Sequence, residues 1–247
     1  MRVIAILWLR QLIRQARSRA RILGALGQPV LFLVSFGFGF GPVFQRAGEG
    51  NYMQFLAPGV IGMGVVFSGM FSGMDLIWDK QFGFLRETLV APVPRWQIML
   101  GRTFGGATVA LLQGLLVAIA CLCVGFRPAS LVQLPLALAF MLLAALMFTA
   151  LGTAIASLVE DFHAFPLIMN FLVMPLFFLS GALFPLAGTG ALAGIARFNP
   201  VAYAVDGLRG TLSGHWHFGF GADAGILCAV TLLIIAIGSW LFEKVEA

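Results

Sequence analysis

The chain is 247 residues long, 60% hydrophobic and only 10% charged, with 24 Phe and a mean hydropathy of +0.99. Soluble domains are nearer to about 45–50% apolar and about 25% charged, so a water-soluble enzyme or signalling module is excluded and a polytopic membrane protein is expected. A formal net charge of +5 would suggest nucleic acid in a soluble chain; here the positive-inside bias accounts for it, and no nucleic-acid partner is expected.

Residues Met1 to Arg21 hold six arginines: Arg2, Arg10, Arg14, Arg17, Arg19 and Arg21. Arg10, Arg14, Arg17 and Arg21 share one face of a helix, with Leu9, Leu12, Ile13, Ala16 and Ala20 opposite. That pattern predicts an interfacial helix whose basic face meets anionic headgroups. A signal peptide is disfavoured by the long basic stretch and the want of a small-x-small cleavage site.

Six apolar runs follow, each about as long as the roughly 20 residues a helix needs to span about 30 Å of hydrocarbon. The first covers Ile22 to Phe44 and the second Phe55 to Ile77, which opens on Ala57-Pro58-Gly59. Gly69 and Gly73 make a small-xxx-small pair suited to a close helix crossing. The third run covers Thr103 to Phe126, the fourth Leu131 to Leu158, the fifth Phe165 to Leu186 and the sixth Ala222 to Phe242. Cys121, Cys123 and Cys228 all fall inside these runs and read as small buried hydrophobes.

Between the second and third runs lies a polar island, Trp78 to Arg102, with Asp79, Lys80, Arg86, Glu87, Arg95 and Arg102. Such a stretch belongs in water or against another protein. Phe82, Leu85 and Leu89 recur at i, i+3 and i+7, predicting a short amphipathic helix that Asp79 caps and that Pro92 and Pro94 terminate. An exposed apolar stripe on that helix is a docking surface, with Arg86 and Glu87 at its rim. An ordinary charged connector is the competing reading.

Between the fifth and sixth runs, Ala187 to Phe220 mixes Gly, Asn199-Pro200, Asp206, Arg209 and His215-Trp216-His217 with apolar patches. Ala191 to Phe198 and Val201 to Leu212 are too short to span, which predicts re-entrant or interfacial helices. Lys and Arg concentrate in the N-terminal helix, in the island (Lys80, Arg86, Arg95, Arg102) and at Lys244, leaving Arg46, Arg127, Arg197 and Arg209 for the other side. The bias places both termini and the island in the cytoplasm and Ala187–Phe220 outside.

Several chemistries are missing from the sequence. It has no GxxxxGK[ST] phosphate loop. His215-Trp216-His217 has no neighbouring carboxylate or cysteine and reads as an interfacial aromatic cluster rather than a metal site. Asp161 and His163 stand two apart in a turn, a poor acid–base pair. Asp75 is the one candidate for a buried carboxylate, against the plainer reading of a helix end at the water line. With no convincing ionisable group at mid-membrane, an ion-driven carrier is disfavoured and the energy source is expected on another polypeptide.

Four stretches in order resemble the membrane-spanning permease of ABC-2 type ABC transporters, in the drug-resistance and nodulation-factor exporter branch. They are Tyr52-Met53-Gln54-Phe55-Leu56-Ala57-Pro58-Gly59, Phe84-Leu85-Arg86-Glu87-Thr88-Leu89-Val90-Ala91-Pro92-Val93-Pro94, Phe178-Leu179-Ser180-Gly181-Ala182-Leu183-Phe184-Pro185, and Asn199-Pro200-Val201-Ala202-Tyr203 with Gly207-Leu208-Arg209. The resemblance covers nearly the whole chain. It implies an all-α membrane protein forming a single domain over residues 1–247: an N-terminal interfacial helix (1–21), six transmembrane helices, a cytoplasmic coupling helix between spans two and three (78–102) and external re-entrant helices between spans five and six (187–220).

By the same resemblance, Phe82, Phe84, Leu85, Arg86, Glu87, Leu89 and Pro92 couple to an ATPase, and Gly181, Pro185, Asn199, Pro200, Tyr203 and Arg209 belong to the external gate. The implied assembly is two permease subunits, a homodimer, with two copies of a separate ABC ATP-binding subunit that carries ATP and Mg; no cofactor, catalytic residue or metal is expected on this chain. The implied setting is the bacterial cytoplasmic (inner) membrane, and the implied cargo a drug, lipid or lipid-linked glycan. The alternatives are a non-transporting membrane anchor, which needs no re-entrant segment, and a membrane-embedded enzyme, which needs polar residues clustered at one depth.

Overall fold

Ser18 divides the basic N-terminus: its carbonyl accepts from the amides of Arg21 and Ile22 and so starts a second helix. The computed structural model describes residues 2–46, 51–85, 93–186 and 190–243. In it, α1 is Arg2–Arg17 and α2 is Arg19–Arg46. Asn51, whose side chain accepts from the Met53 amide, caps α3, Tyr52–Phe71. A break at Ser72-Gly73 leads directly into α4, Met74–Gln81. Pro94, which has no N–H to lose, precedes the long α5, Arg95–Val124, and Gly125 at φ 112 ends it in the left-handed region. A 3-10 turn, Leu131–Gln133, opens α6, Leu134–Leu158. Then come α7, Ala164–Phe178, the short α8, Ala191–Ala196, α9, Pro200–Ser213, and α10, Phe220–Glu243. The described residues contain no strand.

Among the described residues, five helical runs are long and apolar enough to cross a membrane: Ala20–Pro42, Tyr52–Gln81, Arg95–Val124, Leu131–Leu158 and Phe220–Glu243. The fifth run expected from the sequence, Phe165 to Leu186, is helical only to Phe178. Its 15 residues reach about 22 Å, short of the hydrocarbon thickness. The helix ends because the amides of Leu179 and Ser180 turn back onto the carbonyls of Pro175 and Phe177, and Gly181 follows at φ 76. Val201 to Leu212, expected as a short non-spanning piece, lies within the buried helix α9.

α3 forms the centre and is buried along most of its length. It packs against α5, α6, α2 and α9, while α10 lies along α6 and α1 along α5. Between helices in lipid there is little hydrophobic drive, so close backbone packing carries the association. The Gly69/Gly73 pair sits at such a crossing: a Cβ on Gly73 would meet the Gly152 carbonyl, one on Gly152 would meet the Met70 carbonyl, and one on Gly69 would press on Thr149. Of the cysteines, only Cys121 is buried; Cys123 and Cys228 are exposed, contrary to the buried reading.

Candidate functional site

The two candidate regions occupy opposite ends of the helical run Tyr52–Gln81. At its C-terminal end, Asp75 and Asp79 lie four apart on α4 and so share a face. Both are buried, at 5% and 2% exposure. A buried carboxylate must be paired, and the partners come from three helices. Arg10 of α1 places Nη2 3.0 Å from Oδ1 of Asp79 and Nη1 3.2 Å from Oδ2. Arg102 of α5 donates to Oδ2 of Asp79 at 2.6 Å. Arg21 of α2 donates to Asp75 at 3.1 Å, Gln11 donates to the same carboxylate, and Arg14 stands 3.5 Å from Asp75 and 3.8 Å from Asp79.

Three sequence expectations change here. The basic stripe of the N-terminal helix turns Arg10 and Arg14 toward these aspartates rather than toward headgroups alone. Asp79 does not cap a coupling helix: it lies inside α4, which the run of backbone hydrogen bonds carries on from the second span. Nor is the polar island wholly exposed, because Asp79 and Arg102 neutralise each other in the interior.

Lys80 adds a further tie. Its Nζ donates to the carbonyls of Ala156, Ser157 and Val159 at 3.0, 2.7 and 3.3 Å, satisfying the C-terminal end of α6. Trp78 stacks on Phe82 at 5.1 Å and meets Phe162, in the α6–α7 turn, edge-on at 5.0 Å. Beyond α4 the chain turns at Gly83, φ 79. Phe82 and Phe84 are exposed at 62% and 51%, whereas Leu85 is buried at 3%. The expected stripe of Phe82 and Leu85 therefore divides, with Leu85 packed into the chain's own core. The Arg10 guanidinium lies 5.8 Å over the Phe84 ring, so one residue touches both this apolar knuckle and Asp79. Arg86, Glu87, Leu89 and Pro92 lie outside the described residues.

At the other end, Arg209 of α9 meets the Gly181 turn beside the start of α3, while Asn199, Pro200 and Tyr203 organise the first turn of α9, farther from that point. Asn199 caps α9 by accepting from the Val201 amide at 3.0 Å, and its own amide donates to the Leu176 carbonyl of α7. Pro200 occupies the first turn of α9, where its missing N–H costs nothing. Tyr203 donates to the Arg197 carbonyl at 2.7 Å and packs on Phe218. Arg209 donates from Nη2 to the carbonyls of Gly181 and Ala182 at 2.9 and 3.3 Å, and its guanidinium lies 3.9 Å over Phe55. Burial pulls the Arg209 guanidinium below the ordinary arginine range, opposed by Asp206 and Tyr52. Pro185 is half-buried, just past this turn.

Reasoning from sequence missed several members of these clusters. Tyr52 donates to the Leu183 carbonyl at 2.9 Å, and a Cβ on Gly59 would strike the Ala182 carbonyl. Asp206 accepts from the amides of His217 and Phe218 at 2.9 and 2.8 Å, pinning the segment after α9. Trp216 lies against Gly210, Phe140 and Phe220, as an aromatic cluster should. Tyr52, Phe55 and Gly59 stand in a motif-like stretch, but nothing in it names the turn they meet.

Residues 2–213 match the family of ABC-2 type transporters. Nodulation protein J of Rhizobium leguminosarum bv. viciae is 27% identical over 228 residues, covering 91% of this chain and 87% of that protein. The putative transport permease ycf38 of Porphyra purpurea is 31% identical over 210 residues, 82% of this chain and 71% of the relative. The inner membrane transport permease YadH of Escherichia coli (strain K12) is 30% identical over 182 residues, 72% and 70% of the two chains.

Proposed function

Since this chain belongs to the ABC-2 type transporter family and is a multi-pass transport permease, we propose that it forms the membrane path of an exporter powered by a separate ATP-binding subunit. The partner docks on the turn after α4, and the Phe82–Phe84 knuckle enters a cleft on it. The carrying observation is the pair of exposed phenylalanines flanking Gly83, next to a residue, Arg10, that also grips Asp79. Displacement of the knuckle then reaches α1 through Arg10, α5 through Arg102, and α6 through Lys80. Arg86, Glu87, Leu89 and Pro92 share in the coupling in this reading.

In this reading the N-terminus and the α4–α5 segment lie in the cytoplasm of a bacterial cell. The segment that begins as α7 and continues through the Gly181 turn makes the fifth of six passages, and α8 and α9 form the external gate. Two permease copies, with two ATP-binding subunits carrying ATP and Mg, complete the transporter. The exposed faces rich in Phe and Leu suit a hydrophobic or amphipathic cargo such as a drug, lipid or lipid-linked glycan.

The test is co-purification with an ABC ATP-binding subunit expressed from the same genome, with ATP turnover and transport measured on Phe82→Ala, Phe84→Ala and the double variant. Burying one such ring is worth about 1.5–3 kcal/mol, so the double variant should lose the partner while staying folded. Full assembly and transport in the double variant would make the knuckle a mere connector.

A further inference from the structure

Among the described residues the cluster around Asp75 and Asp79 is unbalanced: Arg10, Arg14, Arg21 and Arg102 surround two carboxylates. The surplus faces a cleft. Between α2 and α3 run two contiguous cavities of 230 and 280 Å³, sharing Arg21, Ala25, Ser68 and Phe71 in their walls. The first is lined by Gln11, Gln15 and Ser72 together with Met74 and Val109, and its Asp75 is already covered by Gln11, Arg14 and Arg21. The second is mostly apolar, with Pro29, Met63 and Phe67, and Gln28 also in its wall.

Arg21 stands where the two meet. Its side chain is 47% exposed and spends only Nη1 on Asp75; Nε and Nη2 have no partner among the described residues. It is also one residue inside the apolar run that begins at Ala20, and a basic side chain at the end of a span can reach the headgroups. A half-used guanidinium above an apolar slot fits one kind of molecule: an anion attached to a hydrocarbon chain.

We propose that the α2–α3 cleft binds one anionic phospholipid, its phosphate on Arg21 and an acyl chain along Met63 and Phe67. This lipid is a resident ligand wedged beside the N-terminal helix, distinct from any transported cargo, and the proposal does not depend on the coupling role of the knuckle. Charge selects the headgroup and the slot requires the chain, so neither free phosphate nor a zwitterionic lipid satisfies both.

The experiment is native mass spectrometry of the purified full-length chain with dioleoyl phosphatidylglycerol, dioleoyl phosphatidylcholine and inorganic phosphate. Variants Arg21→Gln and Ala25→Phe remove the charge and fill the slot; Ala25 is exposed, and Gln11 and Arg14 still cover Asp75 when Arg21 is changed. One phosphatidylglycerol per chain should survive activation in preference to phosphatidylcholine, and Arg21→Gln should weaken it about fivefold, the worth of one basic residue at a membrane surface. Ala25→Phe should abolish the adduct. Equal retention of the two lipids, or unchanged retention in both variants, would overturn the site. Displacement by inorganic phosphate at equal concentration would show an anion site without a lipid slot, also overturning it. So would a change of oligomeric state in Ala25→Phe with lipid retention intact, since the cleft would then be an interface between copies.

Discussion

Arg10 and Asp79, sixty-nine positions apart, are joined by a two-pronged contact in which both guanidinium nitrogens meet both carboxylate oxygens, at 3.0 and 3.2 Å. The pair fastens α1 to α4 and leaves Arg10 in reach of Phe84. A bidentate fork holds direction as well as distance, which suits a joint that must pass on movement.

Removing one partner of this cluster should harm the fold more than removing both. Asp79→Ala leaves Arg102, 8% exposed, as a buried charge without its carboxylate, a situation that costs about 3–5 kcal/mol. The double variant Asp79→Leu/Arg102→Met is expected to melt closer to the wild type than either single change. Thermal unfolding in detergent, followed by tryptophan fluorescence, measures the difference.

The α3–α6 crossing predicts a sharp contrast between glycines. Gly73→Ala and Gly152→Ala each drive a methyl group into a backbone carbonyl and are expected to destabilise the protein by about 1–3 kcal/mol. Gly39→Ala, in α2 with nothing within 4 Å, should be neutral or slightly stabilising because alanine favours a helix. Midpoints of thermal aggregation for the three variants provide the comparison.

Arg209→Lys should be a damaging change although it keeps the charge. Lysine lacks the flat guanidinium that covers Phe55 while donating to the carbonyls of Gly181 and Ala182. Transport is expected to fall several-fold with partner co-purification retained, because the lesion lies at the end of α3 remote from the knuckle. Loss of assembly together with transport would instead mark a general folding defect.

Orientation has its own test. With Cys121, Cys123 and Cys228 replaced, Gln81→Cys should resist an impermeant thiol reagent in intact cells and His215→Cys should react. Both positions are exposed, so labelling reports the side of the membrane and not burial. The opposite pattern would reverse the topology.

The membrane class, most of the spans, the crossing glycines and the two short segments before the last span were legible in the sequence, for a physical reason. Hydrocarbon imposes length and apolarity locally, so Leu131–Leu158 and Phe220–Glu243 declare themselves within a single window of residues. The polar island after the second span was visible in the same way, as an interruption of that rule.

What each polar side chain does was decided only by tertiary structure. Asp79 looked like a cap because a cap needs only its own neighbours, but its partners Arg10 and Arg102 arrive on other helices. Leu85 repeated at helical spacing with Phe82, yet one is buried and the other exposed, since the turn at Gly83 breaks the face they would have shared. Arg209 meets Phe55 and Gly181 by the packing of α9 against the start of α3, contacts for which no local pattern exists. Periodicity records which side of an element is apolar; the identity of the partner depends on which elements meet, and that is a property of the packed chain alone.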